Sequence, residues 1–161
     1  MTVPRLSNIS VLLATLAILA SCDNGCEQDR ESFVHLSFTS MSGRVLKSLS
    51  HLATSDVTDL CVESTGITSF DDVEIDLDPH GSQSVIILTM TYTDYGDSYT
   101  VKDTLQIRYT TTPEFLDMSC GCTMQYHIDE VKALTHNLLT QVTLSDAVVT
   151  PTSSNNISFE Y

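Results

Sequence analysis

The chain has 161 residues, with seven Lys and Arg against 21 Asp and Glu, a formal net charge of −14. A surface that grips nucleic acid or anionic headgroups needs clustered Lys and Arg, so this balance argues against both and favours cations and basic partners. The six glycines are scattered, and no P-loop, dinucleotide fingerprint, G-x-S-x-G elbow or H-E-x-x-H is present, so the reading is of a non-enzyme without a cofactor.

The first element is the apolar run from Ile9 to Ala20, broken only by Ser10 and Thr15. It is too short for a mature transmembrane helix and, behind Arg5, has the form of an export signal. Leu19-Ala20-Ser21-Cys22 resembles the lipobox of bacterial lipoprotein signal peptides. That resemblance implies that residues 1–21 are cleaved and that the Cys22 thiol carries diacylglycerol, with further acylation such as palmitate. Several acyl chains make a stable anchor. Residues 22–31 are then a lipid anchor and short tether, and residues 32–161 one domain held close to the membrane. The expected location is the cell envelope, at the outer membrane, with the periplasmic or surface face left open.

Four further cysteines remain, Cys26, Cys61, Cys120 and Cys122. In an oxidising compartment they suggest two disulfides, and three pairings are open. If the chain is extended at Cys120-Gly121-Cys122, the two cysteines lie about 6.5 to 7 Å apart, at or beyond disulfide reach. Each is therefore expected to pair with a distant partner, Cys26 or Cys61 in some order. As a redox dithiol, Cys120 and Cys122 lack a neighbouring cation to lower a thiol pKa. For zinc, the C-x-x-C spacing is missing, and His35, His51, His80, His127 and His136 are dispersed singly.

From Glu31 onward apolar residues alternate at period two. Val34, Leu36 and Phe38 share one face; so do Val73, Ile75 and Leu77, then Ile86, Leu88, Met90 and Tyr92, then Leu105, Ile107 and Tyr109. Thr93 to Ser98 reads as a hairpin connection, and short β-like runs lie in "QVTLSDAVV" and "NISFEY" near the C-terminus. Only Asp129 to Leu139 is ambiguous between strand and a short helix. The expected fold is all-β, a single antiparallel β-sandwich, immunoglobulin-like or similar.

The densest charge is Asp71, Asp72, Glu74, Asp76 and Asp78. On one continuous strand Asp72, Glu74, Asp76 and Asp78 share a face. Such a row either guards a strand edge or offers oxygens to a cation such as Ca²⁺, although EF-hand spacing is absent.

The order of features, from the lipobox through "DVEIDLDPHGSQSVIIL" and "DTLQIRYTTTPEFLDMSCGC" to "NNISFEY", resembles a domain-of-unknown-function family of small Bacteroidota lipoproteins. The matching positions are Arg108, Tyr109, Pro113, Phe115, Cys120, Gly121, Asn156, Ile157 and Tyr161. The resemblance implies an envelope location and a β fold, and carries no activity. It favours a Cys26–Cys120 bond, which leaves Cys61–Cys122 as the second.

The expected function is a non-catalytic binding or assembly module of the envelope, anchored in the membrane by its lipid and holding an envelope protein partner. Two alternatives stand beside it. One is a thiol-redox or metal-handling lipoprotein using Cys120 and Cys122. The other is a glycan- or calcium-binding module using the acidic strand with Tyr92, Tyr95 and Tyr99.

Overall fold

Strand side chains alternate between two faces, and that alternation builds the architecture. The computed structural model describes residues 31–40, 44–58, 61–117 and 121–161. The expected export signal, Cys22, Cys26 and Cys120 lie outside the described residues.

The elements in order are β1 (Val34–Thr39), β2 (Val45–Ser55), β3 (Cys61–Ile67), β4 (Val73–Ile75), β5 (Gln83–Asp94), β6 (Asp97–Asp117), β7 (Gly121–Ala133), β8 (Gln141–Leu144), β9 (Val148–Val149) and β10 (Ile157–Glu160). They form a four-stranded sheet, β4-β1-β10-β8, and a six-stranded sheet, β3-β2-β5-β6-β7-β9. The expected all-β sandwich is what the chain adopts. It is not wholly antiparallel, because the early strand β1 and the late strand β10 lie parallel at the centre of the smaller sheet.

One apolar cluster joins the inner faces. Val34, Leu36, Val73, Ile75, Ile157 and Phe159 come from the four-stranded sheet; Leu49, Ile86, Leu88, Met90, Leu105, Ile107 and Ile128 come from the other. Each such side chain contributes about 1.5–3 kcal/mol when fully buried. Phe38 and Phe159, on adjacent strands, stack with centroids 4.9 Å apart.

The hairpin expected at Thr93–Ser98 closes with Asp94 paired to Asp97. Its two turn residues, Tyr95 and Gly96, have φ of 49° and 95°, the positive pair that a type I′ turn demands. Beyond Arg108, β6 no longer pairs with β5. It continues paired with β7, which carries β9 on its far side at Tyr126 and His127, and further along exposed Phe115 sits opposite Cys122.

The ambiguous segment resolves as strand and loop. β7 runs to Ala133, and residues beyond it fold over Asp103. Tyr109 pairs with Ile128 but Arg108 pairs with Glu130, so Asp129 is the extra residue of a bulge. The bulge moves the inward phase from Tyr126 and Ile128 to Val131 and Ala133. That phase change gives a strand the irregular apolar spacing of a short helix.

Candidate functional site

The end of the sandwich where β1 finishes and β2 begins opens into a groove of about 500 Å³. Its walls are Phe38, Phe70 and Tyr161, and its rim carries Ser40, Arg44, Thr68, Ser69 and Asp71. Backbone bonds fix the aromatic wall. Phe38 N–H donates to the Phe70 carbonyl at 3.0 Å, and Tyr161 N–H to the Thr39 carbonyl at 3.1 Å.

Arg44 is positioned from behind. Its guanidinium carbon lies 5.5 Å from the Tyr92 ring centroid, and its Nε donates to Asp94 Oδ2 at 3.3 Å. Tyr92 is itself stacked on Tyr99, centroids 5.5 Å apart. A guanidinium held over an aromatic face keeps its direction while its remaining donors stay available. Tyr92 and Tyr99 therefore meet, as the glycan reading required, but they serve as the support of Arg44. Tyr95 projects fully into solvent at the turn.

A second constellation lies on the outer face of the four-stranded sheet. His35 of β1 faces Glu74 of β4 across the ladder, and Asp72 lies two residues before Glu74. One ligand atom from each of the three lies within 4.8 Å of the others. His35 is a residue that sequence reasoning missed. It sits 37 residues before Asp72, on a strand whose neighbours Val34 and Leu36 are core, and only the β1–β4 pairing brings it to the acids.

The expected acidic row is broken. β4 ends at Ile75, so period-two alternation does not extend to Asp78, and Leu77 and Asp78 are both buried. Asp76 is exposed and is no part of the triad. Asp78 turns inward. It accepts bonds from Ser55 Oγ at 2.5 Å, from Thr58 Oγ1, and from His80 N–H at 2.9 Å. The two hydroxyls, Ser55 first, and the His80 amide hold its carboxyl below the usual carboxylate range.

The neighbouring Asp56 is likewise held low, first by the Ser82 N–H at 3.0 Å and then by the Ser82 hydroxyl and Gln83 N–H. Above Asp78 the buried hydroxyls of Tyr109 and Tyr126 donate to the Asp78 and Leu77 carbonyls at 2.9 and 3.0 Å. Burial raises both phenols above their ordinary pKa. This network is satisfied within itself and locks the segment from Leu77 to Gln83 onto the larger sheet.

Cys61 and Cys122 are free and exposed, so the Cys61–Cys122 bond is not formed. Cys61 begins β3 at a sheet edge and Cys122 lies in β7, with β2, β5 and β6 between them. Four strand spacings amount to about 19 Å, far beyond a disulfide. The partners that would test the other pairings, Cys26 and Cys120, lie outside the described residues.

A two-sheet β-sandwich with an aromatic-walled groove at one end and a histidine–carboxylate triad on an outer face defines the class of molecule. The chain belongs to DUF6452, a family of unknown function, whose model matches residues 52–161. The match begins inside β2, yet β1 lies between β4 and β10 in the smaller sheet, so the physical domain includes strands that precede the matched region. No curated protein and no solved structure matches the chain.

Proposed function

We propose that the protein is a lipid-anchored lipoprotein of the bacterial envelope, of the Bacteroidota type, whose β-sandwich binds a segment of an envelope protein in the groove between Phe38, Phe70 and Tyr161. The observation that carries this reading is the pairing of an aromatic wall with a pre-positioned Arg44 and a rim of hydroxyls beside Asp71. Apolar surface supplies affinity, and a few fixed polar groups supply orientation. The lipobox at Leu19–Cys22 supports the anchor, and the short stretch from Asp23 to Glu31 keeps the groove near the membrane.

The test is site-specific photo-crosslinking in intact cells from Ser69, on the groove rim, and from Thr143, on the exposed face of β8. A discrete adduct from Ser69 that is lost on Arg44→Ala, with none from Thr143, is expected. Equal labelling from both positions, or none from Ser69, would overturn the groove as the binding site. Intact-mass analysis of the same membrane-derived protein tests the anchor separately, because a chain beginning at Cys22 must carry the mass of its acyl chains.

A further inference from the structure

His35 is not an ordinary surface histidine. Its side chain keeps 10% of its exposure while Asp72 keeps 56%, and its backbone is clamped on both sides by the buried Asn156. The imidazole is therefore a fixed nitrogen donor on a central strand, facing two carboxylates that are freer to adjust. Glu74 is placed by the β1–β4 register, and Asp72 by its position two residues earlier.

We propose that His35, Asp72 and Glu74 form a binding site for zinc or a chemically similar first-row divalent ion, with the fourth coordination position open to solvent. Bonds of 2.0–2.1 Å in a tetrahedral site set neighbouring ligand atoms about 3.3 Å apart. The observed group spans this value. His35 Nδ1 and Asp72 Oδ1 are 2.5 Å apart, and all three ligand atoms fall within 4.8 Å. Seating an ion requires the exposed Asp72 carboxylate to swing outward by about 1 Å.

The donor set selects the metal class. Calcium takes six to eight oxygens, and the acids that would have supplied them do not converge: Asp76 is exposed and outside the group, and Asp78 is committed to Ser55 and Thr58. A mixed nitrogen and oxygen set suits zinc, copper or nickel better than magnesium or calcium. The net charge of −14 draws cations to the surface.

The test uses the full-length chain, stripped with a chelator and titrated with zinc alone by calorimetry, then with cobalt(II) by absorption. One equivalent of saturable zinc is expected. Asp72→Asn and Glu74→Gln, both at exposed side chains, should each weaken binding by about tenfold or more without altering the β-type circular dichroism, and His35→Gln should abolish it. Cobalt should give visible bands of a four-coordinate site without the near-ultraviolet charge transfer of a thiolate. Absence of saturable zinc binding, or unchanged affinity in Asp72→Asn and Glu74→Gln, overturns the assignment. So does a thiolate band, which places the ion on cysteine sulfur instead.

Discussion

His35 and Asn156 hold each other across the parallel β1–β10 seam, the His35 N–H donating to Asn156 Oδ1 at 3.0 Å and the Asn156 N–H to the His35 carbonyl at 2.9 Å. The Asn156 amide also donates to the carbonyls of Asp146 and Val148 at 3.3 and 3.1 Å. One fully buried side chain thus ties the first strand, the β8–β9 connection and the last strand together. Asn156→Ala strands a buried N–H and two carbonyls, and should cost about 2–4 kcal/mol. Urea unfolding should show a lower midpoint at unchanged slope. The adjacent Asn155→Ala, at an exposed residue bonded only to hydroxyls, should change stability by less than about 0.5 kcal/mol.

Gly81 is required for a steric reason. A Cβ there would lie 2.7 Å from the Tyr109 hydroxyl, 3.0 Å from Asp56 Oδ1 and 3.1 Å from Ser55 Oγ. Gly81→Ala should therefore destabilise by about 1–3 kcal/mol, the usual range for overpacking. The closest obstacle is a single oxygen, so the cost should shrink in a Tyr109→Phe background. A double-mutant cycle measures this directly. Strict additivity would place the strain on Asp56 and Ser55 instead.

Stability should fall in two steps as the solution is acidified. Burial of His51, only partly opposed by Asp76, holds its pKa below the ordinary 6.5, and its Nδ1 has no hydrogen-bond partner among the described residues. Below pH 6.5 the unfolded chain takes up this proton before the folded one, so stability is full above that value and declines as pH drops toward the folded pKa. Asp56 and Asp78 are depressed from 3.8 by hydrogen bonds. Their contribution is present above 3.8 and is lost as pH falls through the folded values. Urea midpoints between pH 8 and pH 3 should show both declines, and His51→Gln should remove the first and spare the second. A first decline that survives His51→Gln belongs to another group.

The strands were legible because Ile86, Leu88 and Met90, or Leu105 and Ile107, alternate without interruption, and a face buried against a second sheet enforces that pattern. Legibility ended where the backbone broke period two. The bulge at Asp129 disguised the end of β7, and the early stop of β4 sent Asp78 inward away from Glu74. The triad was hidden for a different reason. His35 and Glu74 are neighbours only through strand register, which no local spacing encodes. The groove likewise gathers Phe38, Arg44, Phe70 and Tyr161 from four separate stretches of chain.

Tyr95 occupies the first position of a type I′ turn at φ of 49°, where a side chain other than Asn, Asp or Gly is unfavourable. It is fully exposed, so its replacement forfeits no packing. Tyr95→Asn should raise stability by about 0.5–1 kcal/mol, seen as a higher thermal midpoint. A loss of stability would mean that the ring covers part of the neighbouring hairpin in solution.

Asp103 is fully buried on the inner face of β6, and the chain after β7 is fastened to it. Its Oδ1 accepts from Thr135 Oγ1 at 3.0 Å and from Asn137 N–H at 2.6 Å, and its Oδ2 from the amides of Leu138 and Leu139 at 2.8 and 3.0 Å. Both oxygens accept, each from at least one backbone N–H, so the amide of Asp103→Asn must point its NH₂ at one of the two sets whichever way it is turned. Only the Thr135 hydroxyl can reverse and accept, so at least one backbone N–H loses its acceptor and faces another donor, a cost of about 1–3 kcal/mol. The damage should be local first, because residues from Leu134 to Thr140 contain no strand of their own, and Leu138 and Leu139 are buried only while this carboxylate holds them. Hydrogen exchange at Leu138 and Leu139 should accelerate more than at Ile86 or Leu105. Equal acceleration everywhere would show that the loop opens only with the whole domain.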